Sequence, residues 1–445
     1  MKRKIYKKLL DWKHRSNGKT AILIEGARRI GKTYIIEEFA KKEYKSYIII
    51  DFSKVSKDVI DIFENNSNDF DSFFNRLEIL FGIKLYRRES IVVFDEVQLY
   101  PRARQLIKHL VADGRYDFAE TGSLISLHRN VKDILIPSEE ERIKMYPMDF
   151  EEYLWAVENE LTYDYIKDCY NKLKPLGQAL HKKALNLFRE YMLVGGMPLA
   201  VLSYSKDKDF EKAEFEKKQI CDLYIEDINK FANSEKKKAK KIFNYIPTQL
   251  QKKSKKITYA NMKKNTRSSD YEKAFMFLDE SMMIHICNNV TDPAFPLALS
   301  VNENEKKCYM LDTGLLITEC LKGEKYISSE IYKSILFDKL FINEGMFMEN
   351  VVACSLVKRD EKLYYYKHND TVKSENDMEI DFLIQRNGKI CPVEIKSSVY
   401  KRHSSLDKFI AKYKRKISQA YILYQKDVLI RDGIYHLPVY MAGMI

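Results

Sequence analysis

With 445 residues, 45% of them apolar and 31% charged, the chain has the composition of a globular protein and a length suited to about two to four cored domains. No run approaches the ~18 apolar residues of a membrane helix, and the seven scattered cysteines contain no Cys-x-x-Cys pair, which excludes membrane spans, disulfide scaffolds and zinc fingers. The formal net charge of +12 favours polyanionic partners over a membrane, and the chain reads as cytoplasmic.

Over roughly the first 120 residues, β-rich runs at 21–24, 47–52, 91–94 and 117–120 alternate with helical patterns, which predicts a parallel α/β sheet in a domain spanning 1–149. Between the first run and a helix expected at 34–42 lies Gly26-Ala27-Arg28-Arg29-Ile30-Gly31-Lys32-Thr33, a G-x-x-x-x-G-K-[ST] loop. Its glycines let backbone amides curl round phosphate oxygens. The helix N-terminus adds its positive dipole end, Lys32 pairs with the β- and γ-phosphates, and Thr33 ligates Mg²⁺. The apolar run 91–94 ends in Asp95 and Glu96, so Asp95 is expected to hold the Mg²⁺ of bound ATP through water and Glu96 to activate the attacking water. The run 117–120 leads into Thr121-Gly122-Ser123, which offers Thr121 or Ser123 as a polar group beside the phosphates.

Residues 150–234 read as a helical connector. Ala184, Leu187, Phe188, Tyr191 and Met192 recur in helical register, and Gly195, Gly196 and Pro198 serve as a helix stop. Residues 235–325 form a basic module. From 231 to 270 there are twelve Lys or Arg against two acids, then a capping box at Ser269-x-x-Glu272 opens a helix with an apolar stripe of Tyr271, Ala274, Phe275, Leu278 and Met282. A small winged helix is expected, with Lys252, Lys253, Lys255 and Lys256 as contacts to a nucleic-acid backbone. A solvated basic face is the alternative.

Residues 326–445 form a last α/β domain. Asn387-Gly388 is the preferred pair for a two-residue hairpin turn between β-rich runs at 379–385 and 390–395. In that register Asp381 lies opposite Glu394 and Glu379 opposite Lys396, while Ile380, Phe382 and Ile384 share an apolar face with Cys391, Val393 and Ile395. Pro392, opposite Leu383, costs the ladder no hydrogen bond. Facing residues have Cβ atoms ~5 Å apart, so Asp381 and Glu394 can share a divalent metal.

The G-x-R-R-x-G-K-T loop, Phe94-Asp95-Glu96-x-Gln98, Thr121-Gly122-Ser123, the stretch from Met145 to Tyr153, Gly195-Gly196-Met197-Pro198, Leu311-Asp312-Thr313-Gly314-Leu315 and Glu349-Asn350 together resemble the prokaryotic AAA ATPases that carry a C-terminal domain of unknown function. The resemblance implies ATP and Mg²⁺ as cofactors, Thr121 as a sensing residue, and a homo-oligomer in which an arginine (Arg102, Arg104, Arg129 or Arg142) completes a neighbour's site. The C-terminal hairpin with Asp381 and Glu394-x-Lys396 resembles the PD-(D/E)xK nuclease fold. Glu349, on a helix expected at 341–356, matches that fold's additional acid. The fold class implied is a parallel-sheet P-loop domain, a helical and winged-helix-like middle, and a C-terminal restriction-endonuclease-like α/β domain. The function implied is an ATP-driven switch or motor coupled to a nuclease-like domain on nucleic acid; the alternative is an ATP-gated regulator whose C-terminal domain binds without cleaving.

Overall fold

The computed structural model describes residues 1–123, 137–252, 254–259, 267–322, 329–336, 344–368, 377–396 and 404–445. They form two compact units, the first of residues 1–146 with 280–282, the second of residues 147–279 and 283–445.

The first unit is built on five parallel strands: β1 (Ala21–Gly26), β2 (Ser46–Asp51), β3 (Ser90–Asp95), β4 (Asp117–Ser123) and β5 (Glu140–Met145), in the order β2-β3-β4-β1-β5. Helices pack on both faces of a parallel sheet, so its central strands are covered on both sides, and β1, β3 and β4 are buried at every position, their polar residues included. The four expected runs are all strands. One face is filled by an aromatic cluster in which Phe52, Phe63, Phe73, Phe74, Phe94 and Phe118 pack with Ile48 and Ile50 from β2. The helices Lys57–Asn65 and Phe70–Phe81 cover it, capped by Ser56 and Asp69. The C-terminal ends of β1, β3 and β4 come level at one sheet edge, Gly26 beside Ser123 and Phe94 beside Glu120, which is where open parallel sheets bind ligands.

The second unit begins with helices and ends in an eight-stranded mixed sheet. Its strands are β6 (Ile284–Val290), β7 (Val301–Met310), β8 (Tyr364–His368), β9 (Met378–Arg386), β10 (Lys389–Ile395), β11 (Ala420–Tyr424), β12 (Leu429–Arg431) and β13 (Ile434–Pro438), in the order β12-β13-β11-β10-β9-β8-β6-β7. Strands β6 and β7, from within residues 235–325, pair as a hairpin at the margin of this sheet, with β6 parallel to β8. The borders expected at 234/235 and 325/326 therefore fall inside one compact unit. The expected capping box at Ser269 is also replaced: a 3-10 turn, Ser268–Asp270, precedes the helix Glu272–Glu280. Tyr271, Ala274, Phe275 and Leu278 are buried as expected, whereas Met282 lies beyond the helix in a left-handed conformation.

The glycine pair is a packing device. The helix Gln178–Val194 stops at Gly195 (φ 81°), and Pro198 opens the next helix, Pro198–Asp207. A buried carboxylate, Asp312, accepts from the Gly196 N–H (2.6 Å) and caps the helix Thr313–Cys320 through the Leu315 N–H (3.1 Å). Gly196 donates room as well as a hydrogen: a Cβ there would lie 2.1 Å from the Met148 carbonyl oxygen. Because that neighbour is backbone, Gly196→Ala is expected to destabilise the second unit by about 2 kcal/mol or more, read as a lower urea midpoint in far-UV circular dichroism.

Candidate functional site

The phosphate loop leaves β1 at Gly26 and enters the helix Lys32–Glu43 at Lys32. Gly26 is required by space, since a Cβ would meet the Met145 carbonyl oxygen at 2.5 Å. Arg29 (φ 65°) and Gly31 (φ 89°) take left-handed conformations that turn the backbone inward. No side chain caps the helix at Gly31, which leaves its first-turn amides to an anion.

Lys32 is buried, and its ammonium donates to the carbonyls of Gly26 (3.2 Å) and Ala27 (2.9 Å). Burial lowers its pKa to about 8, against the opposing pull of Glu96 and Asp95. At the end of β3, Asp95 accepts from the Thr33 hydroxyl (2.9 and 3.1 Å) and from Thr121 Oγ1. Burial raises the Asp95 carboxyl, while those two hydroxyls draw it back. Glu96 sits in a left-handed conformation (φ 54°), its N–H directed to Thr121 Oγ1 (3.3 Å) and its carboxylate accepting from Gln98 Nε2. Thr121, rather than Ser123, thus reaches the acids; Ser123 is buried with no hydrogen-bond partner for its hydroxyl among the described residues. The Thr33 hydroxyl and Asp95 carboxylate are the hard oxygen donors that suit Mg²⁺, and their 2.9 Å contact brings them to one point.

Of the arginines, Arg104 is buried and makes a two-pronged pair with Glu140 (2.8 Å each), so it is committed within its own unit. Arg142 bonds to the same carboxylate (2.7 Å) and stands 3.9 Å from Glu25. Arg102 is exposed, and Arg129 lies outside the described residues. A group that the sequence reading missed lies here as well. Glu120, facing away from Thr121 on β4, is fully buried without a hydrogen-bond partner for either oxygen among the described residues. Burial, then the neighbouring Glu140 charge, raises the Glu120 carboxyl well above its ordinary value, while Arg104 draws it back.

The second cluster lies on β9 and β10. The turn residues Asn387 (φ 51°) and Gly388 (φ 73°) are left-handed, and the ladder runs from Lys389↔Arg386 to Val393↔Phe382, the expected register with Pro392 opposite Leu383. The next positions along it are Asp381 and Glu394. The Ile395 N–H donates to Asp381 Oδ2 (2.8 Å), and Lys396 donates to Glu394 Oε1 (2.6 Å). Glu394 Oε2 is buried without a hydrogen-bond partner among the described residues. Burial and then the Asp381 charge raise the Glu394 carboxyl. Glu349 is buried on the helix Glu344–Val357; Phe341, where that helix was expected to start, lies outside the described residues.

Glu379, set opposite Lys396 by the register, pairs with Lys367 (2.9 Å) and Lys307 (3.0 Å), while Lys396 pairs with Glu394. Lys307, with Lys255, was also missed as a partner of the acids. Lys255 pairs with Glu349 Oε2, while Glu349 Oε1 accepts from the Tyr309 hydroxyl (2.5 Å) and lies 3.7 Å from Lys307. Of the lysines expected to face solvent, Lys255 is therefore turned inward. Lys252 donates to the Tyr245 hydroxyl (2.7 Å), Lys256 pairs with Glu305 (2.8 Å), and Lys253 lies outside the described residues.

Comparison with known proteins divides the chain in the same order. Residues 18–154 match an AAA domain, 185–324 a domain of unknown function (DUF8612), and 344–441 another domain of unknown function (DUF4143). No curated protein matches the chain. Among solved structures it is similar to the Aeropyrum pernix ORC2 protein in its ADP form, at 10% identity and TM-score 0.27 over 75% of this chain and 93% of that one. It is also similar to protein VC1899 from Vibrio cholerae (9%, TM-score 0.19, 95% of each chain). A third is the Pyrococcus furiosus Hef helicase domain (11%, TM-score 0.18, 95% of this chain and 89% of that one). The AAA domain and the P-loop geometry support an ATPase-type function for the first unit.

The lowered pKa of Lys32 has a consequence for ligand binding. Phosphate oxygens favour the charged ammonium, so the pKa rises on binding and a proton is taken up wherever free Lys32 is neutral. ATP affinity is expected to be level below pH 8 and to fall towards about tenfold per unit above it. Calorimetry in buffers of different ionisation enthalpy should show almost no proton uptake near pH 6.5 and about one proton near pH 9.5.

Proposed function

We propose that the chain is a Mg²⁺-dependent ATPase whose turnover drives a nuclease-like centre acting on nucleic acid. The observation that carries the ATPase half is the meeting of Lys32, Thr33, Asp95, Glu96 and Thr121 at one edge of the parallel sheet.

In this reading the Lys32 ammonium exchanges its two carbonyl partners for the β- and γ-phosphates, and the first-turn amides of its helix hold the remaining phosphate oxygens. Thr33 and Asp95 would hold Mg²⁺, which when bound neutralises charge developing on the phosphates. Glu96 orients a water and takes its proton as the water oxygen bonds to the γ-phosphorus and the bond from that phosphorus to the β–γ bridging oxygen breaks, releasing ADP and phosphate. Its strained backbone and its bonds to Thr121 and Gln98 fix the carboxylate against the neighbouring, hydrogen-bonded Asp95. Thr121 couples the end of β4 to both acids, so it is placed to register the state of the phosphates.

For the second unit, the reading is supported by the register that brings Asp381, Glu394 and Lys396 together at the end of one hairpin, with Glu349 close enough for its charge to bear on Asp381. The unpartnered Glu394 oxygen and the Asp381 carboxylate would offer a hard divalent cation two acids, and no group of three or more ligating side chains gathers there among the described residues. Lys396 is placed to stabilise charge on a phosphodiester under attack. The chain's net charge of +12 suits a polyanionic substrate.

Lys32→Ala is expected to abolish ATP binding. Glu96→Gln should leave binding intact and lower turnover by about 100-fold or more. Equilibrium binding of a labelled nucleotide together with single-turnover phosphate release, with and without DNA, measures both; wild-type turnover in Glu96→Gln would remove Glu96 from the mechanism.

A further inference from the structure

We propose that Arg3 is a positioning residue of the phosphate site: it fixes the Ile30–Gly31 peptide of the loop in the attitude that receives a nucleotide's phosphates. The inference rests on reading Gly26 to Thr33 as the ATP site.

Arg3 is buried, and its guanidinium spans two backbone oxygens. Nη1 donates to the Ile30 carbonyl (2.9 Å) and Nη2 to the Tyr146 carbonyl (2.7 Å). Ile30 is the loop residue between Arg29 and Gly31, whose left-handed conformations make the turn into the helix. Tyr146 directly follows β5, whose last residue, Met145, lies beside Gly26 where the loop begins. The fork therefore ties the far half of the loop to the strand that flanks its start. Ile30 closes the gap from inside, its buried side chain reaching back to the space that a Cβ on Gly26 would need. A planar trans peptide points its carbonyl and its N–H in opposite directions. Holding the Ile30 carbonyl thus also sets the direction of the Gly31 N–H, one of the amides that a G-x-x-x-x-G-K-[ST] loop offers to phosphate.

The segment that carries Arg3 is itself anchored. The Arg3 carbonyl accepts from the Tyr6 N–H (3.1 Å) at the entry to the helix Ile5–Ser16, which buries Ile5, Leu9 and Trp12. From that helix Tyr6 donates to Glu43 Oε1 (2.5 Å) and Lys13 to the Glu43 carbonyl. Glu43 is the last residue of the helix that starts at Lys32. One N-terminal segment thus holds the phosphate helix at its far end through Glu43 and its loop through Arg3. The loop is ordered before the nucleotide arrives, so the nucleotide does not have to offset that entropy on binding. An arginine suits the task because its planar fork serves two carbonyls with one rigid group, where a lysine offers a point charge on a flexible stem. A loop amide holds phosphate in the ground state and the transition state alike, so loss of Arg3 weakens binding rather than slowing the chemical step.

The test is equilibrium binding of labelled ATP to the full-length protein, with steady-state phosphate release in Mg²⁺, at a temperature where melting curves show each variant folded. Arg3→Ala is expected to weaken ATP binding and raise KM about tenfold or more, with kcat within about twofold of wild type. Arg3→Lys, which keeps the charge and loses the fork, should fall between the two. If Arg3→Ala proves unfolded, Arg3→Lys alone supplies the comparison, its KM expected about threefold or more above wild type. A merely structural role would instead shrink the active fraction, lowering apparent kcat and leaving KM at its wild-type value, and that result would overturn the role of Arg3 while leaving the ATP site standing. No Lys32-dependent ATP binding in the wild-type protein would overturn the reading of the loop, and the proposal with it.

Discussion

The Asp95 carboxylate is the point on which the first unit turns. It ends β3, receives the hydroxyl of Thr33 from the phosphate-loop helix, and receives that of Thr121 from β4. A buried carboxylate lacking those donors would be costly, so the two hydroxyls both stabilise it and fix the relative heights of three segments. The apolar strands around it supply stiffness. Since β3 and β4 are buried along their whole length, a shift in register would move apolar side chains as well as the acid. The position of Glu96 follows, because its N–H shares Thr121 and its left-handed turn begins where the strand stops.

The second unit meets the same requirement with opposite means. Glu349, Glu379, Asp381 and Glu394 are gathered at one end of a sheet with few hydroxyls at hand, and charge balance comes from Lys255, Lys307, Lys367 and Lys396. Two of these lysines, Lys255 and Lys307, come from residues 235–325, and Lys307 sits on β7, which pairs with β6 at the margin of the C-terminal sheet. Had that hairpin stood apart, Lys307 would be missing and Glu349 would keep only Lys255 and Tyr309. Removing one member of a buried ion pair commonly costs about 3–5 kcal/mol, so the strand order and the charge cluster depend on each other.

What was legible in the sequence was local. The phosphate loop could be read because one strand, eight residues and one helix carry its whole physics. The hairpin could be read because Asn387-Gly388 fixes a turn type and the turn fixes every pair after it, down to Pro392 opposite Leu383. Long-range pairing was not legible. Nothing near Lys255 marks it as the partner of a glutamate 94 residues away, and its neighbours Lys252 and Lys256 share its composition but not its fate. Glu120 was passed over for a related reason: in a strand that also carries Asp117, Thr121 and Ser123, an acid looks solvent-facing, and only the sheet order, with β4 between β3 and β1, makes it a buried one. The basic stretch was read by charge, whereas its role in this structure is set by which lysines find acids.

Both centres hold their key lysine in an internal embrace. Lys32 spends its protons on two loop carbonyls, and Lys255 on Glu349. A ligand must therefore exchange partners rather than fill a void, and its observed affinity is the gain of the new contacts less the loss of the old. For Lys32 the old contacts are neutral carbonyls, which hold an ammonium less strongly than a carboxylate does. For Lys255 the old contact is a buried carboxylate, where the attraction is stronger than in water, so its loss costs more. The same kind of contact thus leaves Lys32 the more easily re-partnered of the two lysines.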